Sequence, residues 1–185
     1  MSVAAPGGLG DTIRRFDDAA DAMLEPWRSN PVLARLMPLA THAGEFSAIW
    51  HACSLVRGLA KGRSDQVVAL AVGLGVESLV VNQGLKRLFR RERPTTGGDE
   101  RFEIRTPITS SFPSGHASAA AFAATVLIGW DGKRWAPLWG TLAATVAVSR
   151  AFVRIHHASD VVGGVAVGLT LGFAARKVFA KLGIT

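Results

Sequence analysis

Apolar and polar positions along this chain fall into blocks that predict helices throughout. From Thr12 to Trp27, Ile13, Phe16, Ala20, Met23, Leu24 and Trp27 share one helical face, while Arg14, Asp17, Asp18, Asp21 and Glu25 share the other. This is the pattern of an amphipathic helix. Such a helix lies in a membrane interface or packs on a soluble core, and the apolar segments downstream favour the interface. Asn30-Pro31 reads as a cap followed by proline at the first helical position, so a second helix starts there. Five apolar segments follow: Leu39 to Leu59, Gln66 to Leu85, Gly115 to Trp130, Trp135 to Val148, and Val161 to Phe179. A membrane-crossing helix needs roughly 20 apolar residues, a length that the first, second and fifth reach. The third would be about 24 Å long as a helix, short of a full bilayer, which sets its start at Gly115 slightly below the membrane surface.

Particular residues refine this picture. Trp130 and Trp135 bracket the turn Asp131 to Arg134, as an aromatic belt at a lipid boundary does. Gly164, Gly168 and Gly172 recur at every fourth position, a spacing suited to close packing inside the bundle ahead of a dimer contact. The first segment carries His42, Glu45 and His51, and the second Glu77, Asn82 and Gln83. Polar groups at such depth are costly, so they are expected to face the interior and make interhelical contacts. The long irregular stretch from Arg87 to Ser114 reads as a functional loop. The expected architecture is all-α: a membrane bundle of five to six helices with an N-terminal amphipathic interfacial helix. One domain covers 1–185, with an N-terminal segment 1–30, a bundle 39–180, and active-site loops 86–116 and 149–160.

Composition adds little to the membrane reading, because an apolar fraction of 49% lies only slightly above a soluble average. The net charge of +7 points to anionic partners, phospholipid head groups or a phosphorylated substrate. Nucleic acid is not expected, since the basic residues abut apolar segments and form no solvated stripe beside exposed aromatics. Cys53 is the only cysteine, so no intrachain disulfide forms. The acidic N-terminal region lacks the basic-then-apolar order of a signal peptide.

Three clusters carry chemistry: Lys86 with Arg93-Pro94, Pro113-Ser114-Gly115-His116, and Ser149-Arg150 with His156 and Asp160. If consecutive helices are antiparallel, all three fall at one end of the bundle. Lys86, Arg93 and Arg150 supply cations, and the arginines can grip phosphoryl oxygens with two bonds each. Ser114 and Gly115 begin a helix, where free backbone N–H groups favour an anion. His156 and His116 can serve nucleophilic displacement with acid-base assistance, and Asp160 is placed to accept a hydrogen bond from His156. Arg90, Arg91, Arg101 and Arg105 read as a solvated or head-group-facing surface, and His157 as a bystander.

Lys-x6-Arg-Pro, Pro-Ser-Gly-His and Ser-Arg-x5-His-x3-Asp, in that order, resemble the three-part signature of the type 2 phosphatidic acid phosphatase family. The resemblance spans Lys86 to Asp160 without a departure. It implies that His156 attacks phosphorus and becomes phosphohistidine, and that His116 protonates the leaving oxygen and later activates water. It further implies that Lys86, Arg93, Ser114, Gly115 and Arg150 bind the phosphoryl oxygens, that Asp160 orients His156, and that no metal or other cofactor is needed. The expected protein is an integral-membrane lipid phosphatase in a bacterial cell membrane, acting on phosphatidate, phosphatidylglycerol phosphate, a polyprenyl diphosphate or a phosphorylated polyprenyl sugar. Vanadate-dependent haloperoxidases, phosphatases of soluble esters and a non-catalytic scaffold are the competing readings. Substrate identity, the side of the membrane and the oligomeric state, a homodimer included, stay open.

Overall fold

The computed structural model describes residues 8–95, 99–102, 104 and 109–185, and in these residues every regular element is helical. The helices are α1 (Leu9–Arg28), α2 (Leu33–Ala43), α3 (Ala48–Lys61), α4 (Ser64–Ser78), α5 (Lys86–Leu88), α6 (Gly115–Asp131), α7 (Ala136–Phe152) and α8 (Ala158–Lys181). Arg105 lies outside the described residues.

Helix α6 forms the centre. It is apolar on every side, so it has no solvent face to offer, and every residue from Ala117 to Leu127 is buried. It packs chiefly on α8 and α7. Small residues permit the α6–α8 approach: a Cβ on Gly168 would lie 2.1 Å from the Ser118 carbonyl oxygen, and one on Gly164 2.4 Å from that of Ser114. The glycine repeat therefore packs inside the bundle. The outer helices present a belt of exposed apolar residues, including Leu55, Val56 and Leu59 on α3, Val68, Val72 and Val76 on α4, and Val162 and Phe173 on α8.

Three expectations change. The segment Leu39 to Leu59 is not one helix but breaks between α2 and α3, where Phe46 (φ 48°) and Ser47 (φ 58°) adopt left-handed backbone. Gly44, just before the break, lies close under the His116 ring: a Cβ there would come within 2.7 Å of it. The second segment forms one continuous rod, Ser64–Leu88, but widens into a π-helical turn over Leu79–Leu85 just before Lys86. Such widened turns concentrate at functional sites. Finally, His42, Glu45 and His51 are exposed, and His42 and Glu45 face each other at 3.3 Å. Of the acidic and histidine residues in these two segments, only Glu77 turns inward.

Helix α1 docks with its charged face inward. Asp17 and Arg28 are buried, while Phe16, Met23 and Trp27 are 48%, 72% and 57% exposed. Arg28 ties α1 to the end of α7 by donating to the Phe152 and Ala151 carbonyls at 2.8 and 3.2 Å, and within α1 it donates to Asp21 at 2.6 Å. The next helix starts at Leu33, two residues beyond the expected Pro31, and the Asn30 side-chain oxygen accepts from the amides of Val32 and Leu33 at its entry.

Candidate active site

The end of the bundle where α5 stops and α6 starts also holds the end of α7 and the start of α8, so the three sequence clusters meet there. A cavity of about 290 Å³ opens among them, lined by Lys86, Arg93, Gly115, His116, Arg150 and His156, with Phe46, Ser47, Glu77, Ser78, Asn82 and Thr109 completing the wall. Three cations thus share one small space. Their mutual repulsion is relieved when an anion enters, and the cavity is built to receive one.

His156 is 3% exposed and held from both ring nitrogens. Nε2 lies 3.2 Å from Arg93 Nη1, and Nδ1 lies 3.4 Å from Ser111 Oγ and 3.7 Å from Asp160 Oδ2. The guanidinium can only donate, so Nε2 is the acceptor and the ring proton sits on Nδ1, facing the carboxylate. Burial holds this imidazole far below its ordinary pKa; the pull of Asp160 opposes that shift and the charges of Arg150 and Arg93 reinforce it. The ring is therefore neutral at pH 7, with a lone pair on Nε2.

Asp160 is fully buried, yet its nearest oxygen lies beyond hydrogen-bond length from His156. Ser111 accounts for the difference: its hydroxyl takes the near carboxylate oxygen at 2.5 Å, and the His157 amide donates to the same oxygen at 2.8 Å. The other oxygen accepts from Arg91 at 2.6 Å. Arg91 is thus not a head-group-facing residue. It bridges Asp160 to Asp17 of α1 at 2.5 Å and to the Ser159 hydroxyl at 2.7 Å, while Asp17 also accepts from the Ser159 amide and hydroxyl. Arg101 is also engaged, with Glu25 and Asp99. His157, taken as a bystander, contributes through its backbone.

His116 stands on α6 beside the backbone of Thr41, and its buried Nε2 has no hydrogen-bond partner among the described residues. Arg150 is 3% exposed, and its Nε is likewise unpartnered among them. Buried donors and acceptors are ordinarily satisfied, so two orphans beside one cavity mark a place for a ligand. Arg93 is anchored by donating to the Ile155 carbonyl at 2.6 Å and the Thr109 carbonyl at 3.2 Å. Ser114 differs from expectation. It is fully buried, its hydroxyl caps α6, and its amide donates to the Asp160 carbonyl at 3.0 Å, so it braces the helix start behind the cavity. Gly115 is the residue of this pair that lines the cavity, where a side chain would come within 3.2 Å of Asn82.

Among the described residues no group of His, Cys, Asp and Glu is arranged to hold a metal ion. Sequence reasoning missed Ser111, Arg91 and Asp17. Ser111 lies in an unremarkable Thr-Ser-Ser run, Arg91 in a basic run, and Asp17 among several acids on one helical face.

Comparison with known proteins identifies the family of the chain. The chain is 34% identical over 134 residues to the decaprenylphosphoryl-5-phosphoribose phosphatase of Mycobacterium tuberculosis, covering 71% of this chain and 72% of that protein. It is 36% identical over 127 residues to the enzyme of the same name from Mycolicibacterium smegmatis, covering 67% of each. The fold matches the crystal structure of a transmembrane PAP2-type phosphatidylglycerolphosphate phosphatase from Bacillus subtilis, with a TM-score of 0.71 and 22% identity over 96% of this chain and 89% of that one. The PAP2 superfamily model matches residues 66–184, and the chain belongs to that superfamily.

Proposed function

We propose that this protein is a multi-pass membrane phosphatase that removes a terminal phosphate from a lipid through a phosphohistidine intermediate on His156. The observation that carries the reading is the pairing of a neutral, buried imidazole with three cations and a second imidazole whose Nε2 has no partner among the described residues, all around one cavity. Membrane placement rests on the exposed apolar belt and on the two rods Ser64–Leu88 and Ala158–Lys181, long and apolar enough to cross a bilayer yet mostly unburied within the protein. Helix α1 lies on the membrane surface: its outward apolar face suits lipid, and its inward charges suit the protein.

In the proposed reaction the phosphate ester enters with its oxygens toward Lys86, Arg93 and Arg150 and toward the amide at Gly115. The Nε2 lone pair attacks phosphorus, an N–P bond forms, and the P–O bond to the lipid breaks. His116 gives its proton to the departing oxygen, then takes one from the water that cleaves the N–P bond and releases inorganic phosphate. Positioning and charge stabilisation supply most of the acceleration. Lipid substrates follow from the membrane setting and from the relatives, whose names specify phosphorylated polyprenyl or glycerol lipids.

Phosphate release by purified protein in magnesium-free detergent, across a panel of lipid phosphates, tests this. Turnover without added metal, inhibition by vanadate and loss of turnover in His156→Ala are expected. Undiminished release by His156→Ala would falsify the nucleophile.

A further inference from the structure

The cavity has a second wall that phosphate chemistry does not use. Opposite character meets the cations there: Glu77, Ser78 and Asn82 line it from one helix face, with Ser47 from the α2–α3 break. Glu77 is the only carboxylate on the lining, is 3% exposed, and has one oxygen, Oε1, with no hydrogen-bond partner among the described residues. No cation lies within ion-pair distance of it among those residues. Asn82 is positioned by donating to the Ser78 hydroxyl at 3.0 Å, which keeps its own carbonyl oxygen toward Gly115.

A buried, unpaired carboxylate oxygen is costly, and in a site for phosphate alone it would only repel the ligand. It becomes favourable when the bound molecule supplies a donor. A hydroxyl is the donor compatible with a phosphate-bearing head group, and the neighbouring serine and asparagine are suited to more of the same. A second phosphate would instead be driven against the carboxylate, a like-charge contact that costs several kcal/mol at a close interface.

We propose that Glu77 determines substrate choice: it accepts a hydrogen bond from a hydroxyl next to the phosphate ester, favouring monophosphorylated polyol or sugar head groups and disfavouring diphosphates. This rests on the phosphatase reading above and names the substrate class within it. A site built to bond a hydroxyl discriminates strongly against an analogue that lacks it, because the buried acceptor is then left unpaired.

The test compares kcat/KM for three substrates in one detergent: phosphatidylglycerol phosphate, whose head group carries a free hydroxyl; phosphatidic acid with the same acyl chains, which lacks one; and farnesyl diphosphate. Wild-type protein is expected to prefer the first substrate to the second by about tenfold or more. Glu77→Ala should bring that ratio near one, chiefly by lowering kcat/KM for the hydroxyl-bearing substrate, and should raise farnesyl diphosphate turnover relative to phosphatidic acid. Glu77→Gln, which preserves shape and an acceptor oxygen but removes the charge, should retain most of the preference while raising farnesyl diphosphate turnover about tenfold relative to phosphatidic acid. Equal losses on all three substrates in both variants would make Glu77 a structural residue and overturn the inference, leaving the phosphatase reading intact. Failure of the wild type on every substrate would sink both.

Discussion

The two ends of the bundle are built from the same residue types and differ in what is left unsatisfied. At the end away from the cavity, Asp131 accepts from Arg57 at 2.6 Å, Lys61 at 2.5 Å and Trp139 at 3.0 Å, and Arg57 also donates to Gln66 at 2.6 Å. Gln66 in turn holds the terminal Thr185 carbonyl at 2.8 Å, and the Arg57 guanidinium lies over the Trp130 ring. The Asp131 carboxylate meets its cations and the polar groups named find partners, so this is a knot that ties α3, α4, α6 and α7 together. At the cavity end Arg150 and His116 each bury a nitrogen without a partner among the described residues, and Lys86, Arg93 and Arg150 converge on one space. A charged cluster paired within the fold stabilises it; cations that converge on one cavity are suited to bind an anion.

Mutations should separate the ends accordingly. The largest effect is expected for His156→Ala, which should lower kcat by about 10⁴-fold or more while leaving thermal unfolding in detergent little changed. His116→Ala should cost about 10²- to 10⁴-fold on a lipid ester and much less on an aryl phosphate, whose leaving oxygen scarcely needs a proton. Equal losses on both would remove His116 from the acid role. At the opposite end, Arg57→Ala leaves the buried Asp131 carboxylate with Lys61 and Trp139 alone and should destabilise the protein by about 1–3 kcal/mol, with kcat of the folded fraction preserved. A collapse of kcat without loss of stability there would break the distinction between the two ends.

Arg91 lies between these extremes, since it satisfies a knot and touches the site. Arg91→Gln should lower kcat more than it raises KM, by about tenfold, because Asp160 loses a partner that fixes its direction. Arg91→Lys should recover part of the loss, and a purely structural residue would show no such kcat-selective rescue. The smallest effect concerns acid. Bonds from Arg101, aided by Arg28, hold the Glu25 carboxyl down at about 2, and Arg101 likewise lowers Asp99. Folded values below the unfolded ones, about 4.3 and 3.9, contribute stability that is present above about pH 5 and fades as pH falls toward 2. Both groups are largely exposed, so a modest rise in quenching of Trp27 fluorescence between pH 6 and pH 3 is expected, as the bonds around Arg101 and Arg28 weaken and α1 loosens.

The cavity end was largely readable in the chain because its residues come in tight, ordered clusters, and antiparallel helices leave one place for them to meet. The helices α6, α7 and α8 followed from apolar runs with clear turns between them. The α2–α3 break was not readable: Phe46 and Ser47, which take left-handed backbone, are not residues that announce it. Arg91 and Asp17 were hidden for a related reason. Periodicity places Asp17 on a polar face but does not say that this face turns inward, and nothing in Arg90-Arg91 tells which arginine reaches a carboxylate. Glu77 was readable by contrast: a carboxylate in an apolar run is expected to face inward, and it does.

The most direct test of the central claim is to quench the enzyme rapidly during turnover and locate the bound phosphoryl group by mass spectrometry under alkaline conditions, where phosphohistidine survives. The account predicts one adduct, on His156, that is lost in acid and accumulates when His116 is replaced and an aryl phosphate is the substrate. A phosphoryl group on any other side chain would contradict it, as would release of phosphate with no protein adduct at any time point.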